Sequence, residues 1–253
     1  MNKTTQGPTG ILSAFVISFG VISYLVFLVT FLYQIGFVSN LWVPKGIDDG
    51  TASTVSRALG INLALLSLFA IQHTIMARNR FKAAWVKIVP SAIERSIFVL
   101  VTSLLLLLIN WLWVPLPDSV WNVGGTAAIV LNGVCALGWI LVLLSTFLIC
   151  HFDLFGLRQV WFFFRGKEYT DVPFKEGNVY SWVRHPIMLG FIIAFWAAPH
   201  MTEGRLLFAA VTTLYILFGV RLEEMTLQAS LDDHYQDYRR RVSMIIPWPP
   251  KEK

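Results

Sequence analysis

Charge and cysteine are both scarce in this 253-residue chain, and each shortage excludes something. Only 14% of the residues are charged, 56% are hydrophobic, and the mean hydropathy is +0.63. A soluble domain carries nearer a quarter charged residues, so a surface wetted all round is excluded and the apolar excess must face lipid. The two cysteines, Cys135 and Cys150, share one apolar run. Fifteen residues of helix separate them by roughly 22 Å, which excludes a disulfide. No GxGxxG follows a strand and no P-loop occurs, so neither soluble nucleotide-binding fold is indicated. There is no GxSxG elbow and no HExxH. The five histidines (73, 151, 185, 200, 234) never stand three or four apart. No single helix therefore builds a metal site, and no metal is expected. No nucleic-acid partner is expected either.

What is present is a series of long apolar runs. Residues 11–36, 55–77, 93–113 and 124–150 are each long enough to span about 30 Å of hydrocarbon. Residues 78–90 (RNRFKAAWVKIVP) are short, basic and aromatic, as in an interfacial helix. LPDSVWNV, residues 116–123, reads as a tight loop after Pro115. Residues 151–185 form the longest polar stretch. Two apolar runs of about 15 residues follow, 187–199 and 206–220, short for spans. They read as a helical hairpin over 187–222, and the chain beyond it as a polar helix to about Val242. The expected fold class is all-α: a polytopic transmembrane helical bundle with four long spans, a C-terminal hairpin and a cytoplasmic C-terminal helix. It forms a single integral membrane domain over 1–253.

Charge sets the orientation. With both termini in the cytoplasm, all 20 basic residues except Lys45, Arg57 and Arg205 fall inside, as the positive-inside rule requires. A shallow hairpin that never reaches the far side gives the same count.

The chemistry gathers in the C-terminal third. In GNVYSWVRHPIMLG, Pro186 suits the first turn of a helix, with Arg184 and His185 immediately before it. A helix start favours a carboxylate or phosphate. Alternatively, Arg184 anchors the chain at the membrane face and His185 lies on the surface. Gly190, Ala194 and Ala197 make a small-residue stripe open to another helix or a flat ligand. Glu223 and Glu224 follow Arg221 at the bilayer edge. Ionisable groups at that depth pair or face a polar cavity, with Arg184, Arg221 and His185 as possible partners. Either a salt bridge closing the hairpin or a cation site fits. His73, His151 and Asp153 stand at helix ends, which would place three histidines (73, 151, 185) near one face. Tyr215 and Gly219 share a helix face with Glu223. Trp182 and Trp196 read as belt residues or pocket walls. Arg239–Arg241 suit an anionic leaflet.

YSWVRHPIMLG followed by RLEEMTLQASLDDHYQDYRRRV and a closing proline resembles the isoprenylcysteine carboxyl methyltransferase-like membrane proteins, over residues 179–247. AIQHTIMARNRFK, IERSIFVL and HFDLFGLRQV resemble a narrower branch, the bacterial methanethiol S-methyltransferases, related to NnrU-like proteins. With them the resemblance covers most of residues 70–248. It implies S-adenosyl-L-methionine as methyl donor, held at the cytoplasmic side within residues 177–247. The implied cofactor-binding residues are Tyr180, Arg184, His185, Pro186, Gly190, Glu223 and Glu224. Met188 stands where the broader pattern has tyrosine, and Tyr180 or Tyr215 could substitute. Its thioether could also pack against cofactor or acceptor.

The implied reaction joins a small volatile thiol, methanethiol, to a methyl group, giving dimethyl sulfide in a bacterial inner membrane. A thiol with a pKa of about 8.5 is mostly protonated at neutral pH, so something must favour thiolate. Arg184, the sulfonium itself, His73 and Tyr215 are the candidates. Met188, Trp196 and His151 are candidates for holding the acceptor. Another small thiol, a prenylcysteine carboxylate or a lipid head group are alternative acceptors. A non-catalytic NnrU-like membrane role is the alternative of another class.

Overall fold

The computed structural model describes residues 10–247, apart from the side chains of Ser230, Leu231 and Asp232. Lys3, Trp248, Lys251 and Lys253, used above for charge and resemblance, lie outside the described residues. In chain order the elements are α1 (Gly10–Ser39), α2 (Val55–Ala77), α3 (Asn79–Trp85), α4 (Ser91–Leu112), β1 (Ser119–Asn122) and α5 (Gly125–Ile149). There follow α6 (His151–Leu154), α7 (Leu157–Phe164), a 3-10 turn (Asn178–Ser181), α8 (Pro186–Trp196), β2 (His200–Thr202) and α9 (Glu203–Arg241). The fold is all-α and polytopic. α1, α2, α4, α5 and the Glu203–Ala229 part of α9 are long and apolar enough to cross a bilayer.

The four long apolar runs are helical, as α1, α2, α4 and α5, and Asn79–Trp85 of the basic aromatic stretch forms α3. The hairpin differs. Its first arm, α8, has 11 residues and spans about 16 Å, well short of the hydrocarbon. Its second arm is no short run. α9 continues for 39 residues without a break, because polarity rises at Arg221 while no proline stops the helix. A second correction concerns LPDSVWNV, which holds a strand. β1 pairs antiparallel with β2, Trp121 opposite Met201 and Asn122 opposite His200.

The chain divides into two compact units. The first takes the described residues up to Gln34, Ser67–Trp111 and Cys150–Pro173. Val16, Ile93 and Val160 form one buried cluster of it. Phe27 of α1 and Phe155, between α6 and α7, stack with ring centroids 3.7 Å apart. Arg95 Nε donates to the Leu154 carbonyl at 2.7 Å, which ties the start of α4 to α6. Gly156 turns with φ +85°, and a side chain there would strike Ser96.

The second unit takes Ile35–Leu66, Leu112–Ile149 and the chain from Phe174. α5 and α8 pack antiparallel through small residues. A Cβ on Gly138 would lie 2.7 Å from Ala194 N, and one on Gly190 would lie 2.7 Å from Gly138 O. Cys135 Sγ donates to the Ala194 carbonyl at 3.4 Å along the same seam. The stripe of Gly190 and Ala194 thus admits a helix. Near the strand pair, Asp48 accepts from Thr202 Oγ1 at 2.6 Å and Arg205 Nε at 2.8 Å. Lys45 Nζ donates to the Trp113 carbonyl at 2.9 Å. Two of the three basic residues left apart by the charge-based topology are therefore held by specific partners.

Candidate active site

The site is assembled where the chain enters α8 and where α9 ends. Pro186 occupies the first position of α8, and His185 is its N-cap, with no side-chain cap. Residues 183–185 run beside the C-terminal segment. Arg184 N donates to Ser243 O at 2.9 Å and His185 N to Met244 O at 3.1 Å. This backbone pairing brings Arg184 and His185 against α9.

Glu224 is the centre of the cluster. Its carboxylate is 7% exposed and both oxygens are occupied. Oε1 accepts from Arg184 Nε at 2.7 Å and Tyr235 OH at 2.9 Å, and faces His185 Nε2 at 3.0 Å. Oε2 accepts from Arg184 Nη2 at 2.9 Å and pairs with Arg239 Nε at 3.1 Å. Arg184 is as fully engaged. Its remaining nitrogen, Nη1, donates to the carbonyls of Arg239 and Val242. The bidentate pair is the strong geometry for arginine and carboxylate. So a carboxylate at the membrane edge pairs, as the physics of that depth demands.

Glu223 differs from its neighbour. Its side chain is 52% exposed, and among the described residues its ion pair is with His185 Nδ1, at 3.6 Å. The imidazole of His185 thus stands between an engaged carboxylate and an open one. Behind the cluster, Tyr238 OH donates to Tyr180 O at 2.6 Å, and Tyr180 OH to Ser145 O at 3.1 Å. Burial pushes the Tyr238 hydroxyl up to about 12 and raises Tyr180 as well. Burial and then the Glu224 carboxylate raise Tyr235. All three phenols stay protonated donors at neutral pH. Phe174 lies edge-on to both Tyr235 and Tyr238, and Glu176 beside it accepts from Arg241 Nη2 at 2.9 Å.

The structure therefore brings together Tyr180, Arg184, His185, Pro186, Glu223 and Glu224. Gly190 lies in the α5–α8 seam. Met188 packs with Ile216, Val220 and Ile245. Trp196 is at the far end of α8, its Nε1 donating to Thr213 Oγ1 at 2.9 Å. Tyr215 is half-buried on α9, on the face of Glu223. His73 and His151 belong to the first unit, and His185 to the second. His73 stacks on Phe69, with Thr102 Oγ1 3.4 Å from its Nδ1. His151 is buried, its Nε2 2.9 Å from Tyr24 OH. Arg221 is exposed and makes no ion pair among the described residues; Arg239 takes the place considered for it.

Sequence reasoning missed Tyr235, Arg239 and the Val242 carbonyl. Eleven residues of straight helix would set Tyr235 about 16 Å beyond Glu224, past the joint reach of the side chains. Their hydrogen bond means that α9 is bent between them. Helical periodicity carries no signal of such a bend. Among the described residues no group of histidines, cysteines and carboxylates could hold a metal ion.

A family model described as NnrU protein matches residues 62–244. Among curated proteins, a methanethiol S-methyltransferase of Mycobacterium tuberculosis is 52% identical over 92% of this chain and 96% of its own length. Methanethiol S-methyltransferase 1 of Bradyrhizobium diazoefficiens is 54% identical over 91% of this chain and 81% of its own. Nurim of Xenopus laevis is 29% identical over 72% of this chain and 70% of its own. No solved structure gives a significant match. With the family model spanning well over half its residues, the chain belongs to the NnrU protein family.

Proposed function

We infer that this chain is a membrane-bound methanethiol S-methyltransferase that forms dimethyl sulfide, with S-adenosylmethionine as methyl donor. The observation that carries this reading is the match, over 96% and 81% of their own lengths, to relatives of that name. The site fits such a donor in one specific way. It offers an open carboxylate, Glu223, beside a helix start with no side-chain cap. The first suits an ammonium and the second a carboxylate. Bound there, the donor supplies a methyl group on a sulfonium.

The chain's own residues then divide the work. Glu223 holds the ammonium, and His185, between the two glutamates, orients it. The first turn of α8, opened by Pro186, receives the carboxylate. Glu224, Arg184, Tyr235 and Arg239 hold these elements in register. Arg184 acts here as a positioning residue, because its donors are already engaged. Met188, in its apolar cluster, offers a soft surface to a small neutral thiol. Methyl transfer is a displacement that needs alignment and exclusion of water more than acid–base groups. Tyr215 and His73 remain the candidates for favouring thiolate. We place both termini in the cytoplasm and the protein in a bacterial inner membrane, on the distribution of basic residues.

The test is direct. Purified protein with S-adenosylmethionine and methanethiol should release dimethyl sulfide into the headspace, measured by gas chromatography. No product, together with no donor binding by calorimetry, sinks the enzyme reading and leaves the non-catalytic one. Full activity in both Glu223→Gln and His185→Ala refutes the site while keeping the function. Tyr215→Phe and His73→Phe then separate the two thiolate candidates.

A further inference from the structure

Among the described residues, α5 is the least buried of the five helices long and apolar enough to cross a bilayer. Gly138 and Val142 mark the side of it that packs on α8. At 100° per residue, Ile129, Ile140 and Phe147 point to the opposite side, and all three are exposed. Apolar side chains in that position suit lipid and need no other partner.

Asn132 breaks the pattern. It is turned about 120° from Gly138, toward the lipid side, and its side chain is exposed. Among the described residues it makes no hydrogen bond. The carboxamides of Gln34, Asn62 and Asn110, on other spans, are buried in the protein instead. Depth makes the exposure costly. α5 has 25 residues, about 37 Å of helix, against about 30 Å of hydrocarbon. Asn132 lies seven residues, about 10 Å, from its start, and so several ångströms inside the apolar layer. An asparagine side chain is too short to reach the headgroups from there. A polar group at such a depth seeks a partner on another helix.

The neighbours of Asn132 favour close approach. Ala128 and Ala136 stand four residues before and after it, along one ridge of the helix. Flanking alanines let two backbones come near enough for so short a side chain to reach across. Symmetry selects the occupant. Two copies inserted in the same orientation, related by a two-fold axis along the bilayer normal, bring identical residues of α5 face to face. A carboxamide both donates and accepts, so Asn132 satisfies its own counterpart reciprocally.

We propose that this face of α5 is the interface with a second copy of this chain, closed by a reciprocal hydrogen bond between the two Asn132 side chains. The proposal does not rest on the methyltransferase reading.

The experiment is energy transfer between donor- and acceptor-labelled full-length protein in phosphatidylethanolamine–phosphatidylglycerol vesicles, over a range of protein-to-lipid ratios. Transfer should rise with protein density and saturate as a dimer. Asn132→Leu keeps the size of the side chain and suits lipid better, so the protein folds, but association should weaken about tenfold, the worth of an interhelical polar contact. Ala136→Phe should weaken it at least as much by holding the backbones apart. Val130→Phe, exposed and turned about 160° from Asn132, should leave it unchanged. In native membranes under mild oxidation, Asn132→Cys should form a disulfide-linked dimer and Val130→Cys should not. Transfer that does not depend on protein density, with no cross-link at position 132, overturns the proposal in favour of a monomer. Association unchanged by both Asn132→Leu and Ala136→Phe overturns this face as the interface. Cross-linking of Asn132→Cys to a different polypeptide in place of a second copy overturns the occupant.

Discussion

Glu224→Gln separates a structural clasp from a ligand site. The substitution keeps the size of the side chain and one acceptor oxygen but removes the charge. The Arg184 guanidinium, 8% exposed, loses its counter-ion. One arm of the new amide turns N–H groups toward donors, either Arg184 Nη2 and Arg239 or Arg184 Nε, His185 and Tyr235. Breaking a buried pair from one side costs about 3–5 kcal/mol. Arg239 is 38% exposed and regains water, so the lower end, about 3 kcal/mol, is expected. For a chain of this size that lowers the melting temperature by about 6–12 °C. A thermal melt in detergent, followed by circular dichroism, reads it. Glu223→Gln is the paired control. Its carboxylate is half-exposed and paired only loosely, with His185 Nδ1 at 3.6 Å, so stability should hold within about 0.5 kcal/mol while KM for the methyl donor rises. Glu224→Gln melting within about 2 °C of the parent protein would refute the division of roles. So would Glu223→Gln if it destabilised as much as Glu224→Gln.

The α5–α8 seam should resist even one methyl group. Gly138→Ala places a Cβ 2.7 Å from Ala194 N and 2.8 Å from Gly190 O, backbone atoms that cannot swing aside. It should cost about 1–3 kcal/mol in a thermal melt, while Gly133→Ala on the same helix, with open space around it, should not destabilise. His151 gives a pH dependence. Burial lowers its pKa below the ordinary 6.5, so the unfolded chain binds that proton more readily. Its contribution is complete above about pH 6.5 and is lost as pH falls through the lowered value. Melting temperatures should therefore decline between about pH 7 and pH 5, and less steeply in His151→Gln. Asp48→Ala strips Thr202 and Arg205 of their acceptor and should cost about 2 kcal/mol in the same melt, without raising KM for the donor.

The long spans were legible because hydropathy over some twenty residues is a strong signal, and α2 matches its expected bounds at Val55 and Ala77. α9 was not, because the reading ended the span where polarity rose at Arg221. A helix ends where its backbone bonding ends, and nothing in RLEEMTLQASL interrupts it. The β1–β2 ribbon was hidden for another reason. Two strands of four and three residues, some 80 positions apart, carry no periodicity long enough to detect. At the site, local residues were legible: Arg184, His185 and Pro186 fall at the start of α8 as expected. Partners that depend on the bend of α9, Tyr235 and Arg239, were not.

The two adjacent glutamates part company for a reason that helix geometry supplies. Consecutive residues point about 100° apart, so Glu223 and Glu224 cannot face the same way. Glu224 continues the line of Ile216 and Val220, both buried, four residues apart. Glu223 continues the line of Tyr215 and Gly219, and a Cβ on Gly219 would meet nothing within 4 Å. One stripe of α9 thus closes on protein and the other stays open beside the half-exposed Glu223 carboxylate. If that open stripe lines the donor and thiol groove, filling it should block catalysis without harming the fold. Gly219→Leu tests this. Leucine suits a helix interior better than glycine by about 0.8 kcal/mol, and the space is empty, so the melting temperature should hold or rise. Headspace dimethyl sulfide should nevertheless fall at least tenfold, with KM rising more than kcat falls. Unchanged kinetics in the stable variant would mean that the stripe faces only lipid, and that Glu223 meets its ligand from the other side.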